Sequence, residues 1–192
     1  MAKSYIGIDL GTTFSAVATL DETGRPKIVH NKAGANITPS VVYFPEAGVA
    51  EVGEEGARRG RGIVPRTFTR FKREMGTDTT YEMDGRTLTP TVLSALVLSK
   101  LKADAQLALG SIGQAVVTIP ANFSHEAREA TMAAARDAGL DVAYIINEPT
   151  AAALYYAFTG GQELAGHYAV YDLGGGTFDV SIIRMAAQDV EV

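Results

Sequence analysis

Three consecutive glycines follow directly behind a carboxylate in "YDLGGGTFDVSII" (171–183). An apolar strand runs into Asp172, the chain turns through Gly174, Gly175 and Gly176, passes Thr177 and enters a second strand. Each glycine costs backbone entropy on folding, so three in a row need a reason. "YIGIDLGTTFSAVATL" (5–20) has the same grammar: apolar strand, Asp9, Leu10, Gly11, a small hydroxyl-bearing turn, apolar strand. The two segments align with a single-residue gap that pairs Asp9 with Asp172, Leu10 with Leu173, Gly11 with Gly174 and Phe14 with Phe178.

A glycine turn lets backbone N–H groups converge on one point with no Cβ in the way of a close ligand, and such a concavity binds anions, phosphate above all. A carboxylate just before each turn opposes an anion unless a divalent cation sits between them. Magnesium keeps most of its waters and needs only one or two carboxylates nearby. Two such hairpins facing each other clasp a polyphosphate from both sides, the glycines receiving phosphate and Asp172 facing the metal. Asp179 lies two residues beyond Thr177, on the same face of its strand. Glu148 follows the apolar strand "VAYII" (142–146) at the start of a helix. Two carboxylates about 5 Å apart repel by roughly 3 kcal/mol at an effective dielectric near 20, and a cation relieves that. Taken alone, Glu148 also reads as a helix N-terminal acid complementing the dipole.

The rest of the chain alternates strands and helices. Residues 4–9 and 14–20 read as strands, "DETGRP" (21–26) turns the chain into a third at Lys27–His30, and "ITPSVVYF" (37–44) is a fourth. From Pro45 to about Gly85 periodicity weakens, which predicts a smaller, looser insertion containing a hairpin turned at Asp84–Gly85. Thr89 as cap and Pro90 at the first position start a helix that Gly110 ends, with Val92, Leu93, Leu96, Val97 and Leu101 at helical spacing. "AVVTIP" (115–120) is a buried strand, Ser124 caps a second helix that stops at Gly139, and a third helix begins at Glu148–Pro149. This alternation predicts an α/β sheet with helices packed on it. With 192 residues the chain is long enough for one good-sized domain or two small lobes.

Several function classes fall away on composition. A net charge of −5 argues against a dedicated nucleic-acid binder, and the absence of cysteine excludes disulfides, thiolate metal sites and cysteine nucleophiles. The N-terminal MAKSYIGIDL lacks the apolar region of a signal peptide, and nothing approaches the roughly 20 apolar residues that span a bilayer, so a soluble cytoplasmic protein without a membrane partner is expected. The basic run "RRGRGIVPRTFTRFKR" (58–73) carries Arg58, Arg59, Arg61, Arg66, Arg70, Lys72 and Arg73 with no acid among them. It reads as a solvated face, as a nucleic-acid patch, or as a segment that brings one cation over the phosphates.

Together "GIDLGTTFSAVA", "ITPSVVYF", "FKREMG", "AVVTIPANFSHEAREAT", "AGLDVAYIINEPTAAALYYA" and "YDLGGGTFDVSII" resemble the ATPase domain of the 70-kilodalton heat-shock chaperones (the DnaK family), in that family's order and nearly its spacing. The resemblance implies an actin-like (ribonuclease-H-like) α/β fold with two lobes flanking a cleft for ATP or ADP. On that template residues 1–37 and 90–165 form the core of lobe one, 38–89 a smaller inserted subdomain, and 166–192 the first hairpin of lobe two. Gly11, Thr12, Thr13 and Phe14 make the first phosphate loop and Gly174, Gly175, Gly176 and Thr177 the second. Asp9, Glu148 and Asp172 surround a hydrated Mg2+, while Asp9, Thr177 and Asp179 help hold K+. Lys72 orients the attacking water and stabilises charge on the γ-phosphoryl, with Glu148, Asp172 and Thr177 completing the catalytic set. Pro120 and Arg128 occupy positions that relay nucleotide state towards a peptide-binding domain. The implied function is ATP hydrolysis driving cycles of binding and release of unfolded client peptides in the stress response.

Departures from the pattern carry expectations of their own. Phe14 stands where the family commonly has a smaller or polar residue, which alters packing near the phosphates rather than the chemistry. Tyr144 stands where an arginine usually helps to dock J-domain partners, which weakens the case for a standard J-domain co-chaperone. The chain stops at Val192, soon after the second hairpin, so the rest of lobe two, its exchange-factor surface and the peptide-binding domain are expected to be missing. Such a fragment is expected to bind nucleotide weakly. Its hairpin then packs back on lobe one, swaps between copies or lies flexible. A non-catalytic nucleotide sensor, an actin-like filament protein and a sugar kinase share the expected fold.

Overall fold

The computed structural model describes residues 3–160, 165–186 and 189–191. β1 (Ser4–Asp9) and β2 (Phe14–Leu20) pair antiparallel, with Ile8 opposite Val17 and Asp9 opposite Ala16. The Asp21 carboxylate accepts from the backbone N–H groups of Thr23 and Arg25 and turns the chain into β3 (Pro26–Ile28). That strand ends two residues before His30. Asn31 bends the chain just beyond it, its Oδ1 accepting from the N–H groups of Ala33 and Ala35.

The single strand expected over 37–44 is two. β4 (Thr38–Pro39) pairs with β2, whereas β5 (Val41–Glu46) belongs to another sheet. Ser40 makes the break, because the first glycine turn captures it. Its N–H donates to the Thr13 carbonyl at 2.8 Å and its hydroxyl to the Gly11 carbonyl at 2.7 Å.

The segment from Pro45 to Gly85 is not loose. β6 (Val49–Val52) and β7 (Thr67–Thr69) flank β5 in a three-stranded antiparallel sheet. α1 (Glu54–Arg59) packs against that sheet, and β8 (Tyr81–Met83) and β9 (Arg86–Leu88) form the expected hairpin at Asp84–Gly85. Phe68 stands edge-on to Phe44 at 5.9 Å and to Tyr81 at 5.4 Å. Strands this short do not reveal a period of two, which is why the pattern looked irregular.

α2 (Pro90–Leu109) and α3 (His125–Asp137) start where their caps place them. Thr89 Oγ1 accepts from the N–H of Val92, and Ser124 Oγ from that of Ala127. β10 (Ile112–Ile119) runs parallel to β1, and β11 (Asp141–Asn147) parallel to β10. The resulting six-stranded mixed sheet has the order β11-β10-β1-β2-β3, with β4 on β2. Its apolar residues, Ile6, Ile8, Leu10 and Val117 among them, bury Leu93, Val97, Leu98 and Leu101 of α2 and Ala134 and Ala135 of α3. Mixed α/β architecture is therefore what the chain has. No helix among the described residues is long and apolar enough to cross a membrane.

α4 (Glu148–Gly160) follows β11 directly, and β12 (Ala165–Leu173), β13 (Phe178–Ala186) and β14 (Asp189–Glu191) make a third, antiparallel sheet. The described hairpin lies back against α4, burying Ile183 and Met185 on Ala153. Its other face leaves Tyr171 and Leu173 exposed, 70% and 81%. Ile183 is thus the anchor, and Ile183→Ala is expected to loosen the hairpin by about 3 kcal/mol. Hydrogen exchange would show it as a roughly hundredfold faster exchange of the Val180–Ile183 amides with α2 unchanged. Exchange as slow as in the wild type would mean that Ile183 is not what fastens the sheet.

Candidate functional site

Three strand ends converge on one side of the central sheet. β1 ends at Asp9, β10 delivers Pro120 just beyond Ile119, and β11 runs into Glu148. The crevice outside the carboxyl ends of such strands is where an α/β sheet offers a ligand its loops. Thr118 stands opposite Asp9 in the parallel register and donates its hydroxyl to Asp9 Oδ1 at 3.1 Å.

The first glycine turn is held from three sides. Gly11 donates its N–H to Ser15 Oγ at 3.1 Å and its carbonyl accepts from Ser40, while the two serine hydroxyls lie 2.9 Å apart. A Cβ on Gly11 would collide with the carbonyl oxygen of Phe14, so only glycine closes this turn. Thr13 Oγ1, in the same turn, is buried and has no hydrogen-bond partner. A hydroxyl left in that state costs about 1–3 kcal/mol unless something occupies it.

The second turn, closed by the Gly174 N–H donating to the Thr177 carbonyl at 2.9 Å, meets the first. Asp172 and Asp179 face each other across β12 and β13. A Cβ on Gly175 would lie 2.9 Å from Cβ of Thr13, so the two turns touch and glycine is what lets them. Gly176 approaches both the first turn and the basic run: a Cβ there would come 3.0 Å from Nη2 of Arg73 and 3.4 Å from Oγ1 of Thr13.

Lys72 enters from the insertion. It sits on a 3₁₀ turn, Phe71–Glu74, that buries Phe71 and Lys72 together. Its Nζ donates to Glu148 Oε1 at 2.7 Å and lies 5.8 Å from the centre of the Phe123 ring. Of the basic run, Arg58 pairs with Glu55, Arg59 with Glu51 and Arg66 with Asp84. Those three form a solvated face, and Lys72 is the buried exception, 6% exposed. Burial pushes the Glu148 carboxyl above its ordinary range. The Lys72 ammonium and its hydrogen bond pull it down, and the charges of Asp9 and Asp172 add to the rise. Glu148 is also the acid in the first turn of α4, so the ion pair with Lys72 stands beside the helix-dipole reading.

These groups surround one open cleft of about 530 Å³. Asp9, Gly11, Thr12, Thr13 and Phe14 line it from the first hairpin, and Asp172, Gly174, Gly175, Thr177 and Asp179 from the second. Lys72, Glu148 and Pro120 close it. Gly176 is not in the lining, but Arg73, which it approaches, is. Arg128 stands off it and donates to Asn147 Oδ1 at 2.8 Å, next to Glu148. Among the described residues no group of three or more acidic or histidine side chains is close enough to hold a metal ion directly. Ser15, Ser40, Thr118 and Arg73 were missed in the sequence. Thr118 is the one with a signal, a polar residue inside the apolar run "AVVTIP".

A family model described as Hsp70 protein matches residues 5–84 and 77–192. Hsp70 proteins are chaperones that bind ATP and ADP with magnesium, hydrolyse ATP, and work with client proteins, exchange factors and J-domain proteins. The matched residues include both glycine turns, the Lys72 segment and the Glu148 helix, and on that match the chain belongs to the Hsp70 family.

Proposed function

We propose that this chain carries the phosphate- and metal-binding half of an ATPase domain with an actin-like fold. Residues 1–37 and 90–165 are the core of its first lobe, 38–89 an inserted subdomain and 166–192 the first hairpin of its second lobe. The observation that carries the reading is the contact between the two glycine turns, with the unpartnered hydroxyl of Thr13 buried between them. An orphaned donor beside a cradle that a Cβ would fill fits a phosphate oxygen better than any protein group present.

On this reading Gly11, Thr12, Thr13 and Phe14 receive phosphate from one side, and Gly174, Gly175, Gly176 and Thr177 from the other. Asp9, Glu148 and Asp172 would hold magnesium through its waters, and Asp9, Thr177 and Asp179 would help hold potassium. The cations neutralise phosphate charge. Lys72 orients the attacking water and stabilises charge developing on the transferred phosphoryl, so no covalent nucleophile is needed. Pro120 at the cleft and Arg128 through Asn147 pass the state of Glu148 outward. The chain's partners are unfolded client peptides and a nucleotide exchange factor. Tyr144, exposed on β11, replaces the arginine a J-domain expects. The protein works in the cytoplasm.

Calorimetry of this chain with ATP and ADP, with and without magnesium, tests the reading. Binding that needs magnesium and is lost in Asp172→Asn is expected, since on this reading the cation stands between the carboxylates and the phosphates. Binding indifferent to both magnesium and Asp172, or none in the millimolar range, would overturn it.

A further inference from the structure

We propose that Arg70, together with Arg73, reads the phosphate charge of the bound nucleotide and favours a triphosphate over a diphosphate. The inference rests on the nucleotide reading of the cleft and adds a residue to it.

The backbone gives the first indication. Arg70 has φ 59° and ψ 13°, a left-handed conformation. Among the described non-glycine residues, Arg70 and Asp84 have positive φ. Asp84 sits in a hairpin turn, where a short polar side chain tolerates it. A long arginine gains nothing locally from such a backbone, and glycine would adopt it freely. An unfavourable conformation that is kept calls for a role outside the backbone itself. Its effect is visible: the kink starts the 3₁₀ turn that carries Lys72 and Phe71 inward and leaves Arg70 and Arg73 exposed, with Arg73 in the lining of the cleft.

The second indication is where those two side chains go. A Cβ on Gly176 would lie 3.0 Å from Arg73 Nη2 and 3.9 Å from Arg70 Nε, so both guanidinium groups meet at the last glycine of the second turn. Neither forms an ion pair with a carboxylate among the described residues, in contrast to Arg58, Arg59 and Arg66 of the same run. Two cations converging on one point repel, and the arrangement is favourable once an anion stands between them. The planar fork of a guanidinium fits phosphate oxygens in pairs. Because the attraction scales with the charge it meets, the ligand with one more phosphate gains more.

Calorimetry on the full chain with magnesium and either ATP or ADP, alongside thermal melting, tests this in Arg70→Gln and Arg70→Gly. Arg70→Gln keeps a flexible polar side chain, shorter than that of arginine, and removes the charge. It is expected to weaken ATP binding about tenfold and ADP binding about twofold. Arg70→Gly should lose the same affinity while melting at or above the wild-type temperature, because it relieves the backbone. Affinities unchanged in both variants, or equal losses for ATP and ADP, would overturn the proposal while leaving the nucleotide reading in place. A wild-type chain that binds neither nucleotide would bring down both.

Discussion

Lys72→Met is expected to cut ATP turnover by about a hundredfold or more, with the fold retained. Lys72 is the one cation of the basic run that is buried against the acidic end of the cleft, its Nζ 2.7 Å from Glu148 Oε1. A preorganised charge is worth roughly 10²–10³ in rate, and methionine keeps an unbranched stem while removing that charge. Single-turnover hydrolysis measures the loss. The same substitution has a second readout. Lys72 supplies the two influences that hold the Glu148 carboxyl down, so without it the burial effect is unopposed and the carboxyl titrates at still higher pH. A carboxyl pKa raised by folding means that the folded state prefers the protonated form. The stability it contributes is complete below the unfolded pKa and is lost as pH rises through the folded value. Lys72→Met should therefore destabilise the chain more at pH 8 than at pH 5, read by urea unfolding at the two pH values. Turnover left intact alongside an altered pH profile would keep Lys72 as Glu148's partner and remove it from catalysis.

Local chemistry was legible in the sequence, and long-range capture was not. Thr89 and Ser124 announced α2 and α3 because a cap acts within three residues of itself. The two aspartate–glycine turns were readable for a similar reason: carboxylate, turn and returning strand are contiguous. Ser40 carried no such mark. It divides the run 37–44 by bonding to Gly11 and Thr13, far back in the chain, and the hydrophobic pattern on either side is that of one strand. Lys72 shows the limit at the site. Nothing local distinguishes it from the six arginines around it, and the resemblance singled it out. The structure supplies the physical difference, because three of those arginines find carboxylates at the surface while Lys72 is turned inward by the kink at Arg70. A backbone torsion at an arginine has no sequence signature.

Gly76→Ala is expected to cost about 3–5 kcal/mol and to displace Lys72 from Glu148, although Gly76 lines no part of the cleft. Its φ of 76° already charges an alanine about 1–2 kcal/mol. The larger part is steric. A Cβ at this position would collide with the backbone nitrogen of Ala127 and lie 2.7 Å from Cα of Ala127 and from the carbonyl carbon of Glu126. These are backbone atoms of the first turn of α3, so no flexible side chain can swing aside. The Ala127 N–H is also the donor that caps the helix on Ser124 at 3.2 Å. To accept alanine the chain must either break that cap, worth about 1 kcal/mol, or push the 3₁₀ turn off the helix. The second route drags Met75, 4% exposed, out of its seat beside Ser94 and moves the turn that holds Lys72. Gly85→Ala is the matched comparison: φ is 72° with nothing within 4 Å of the added Cβ, so only the torsional cost of about 1 kcal/mol remains. Urea unfolding of the two variants measures the difference. Equal losses would mean that α3 yields to the methyl group, and that its first turn does not set the position of Lys72. A loss several times larger for Gly76→Ala, with the Glu148 carboxyl titrating at higher pH as it does in Lys72→Met, would place the orientation of the cleft lysine under the control of the helix that begins at Ser124.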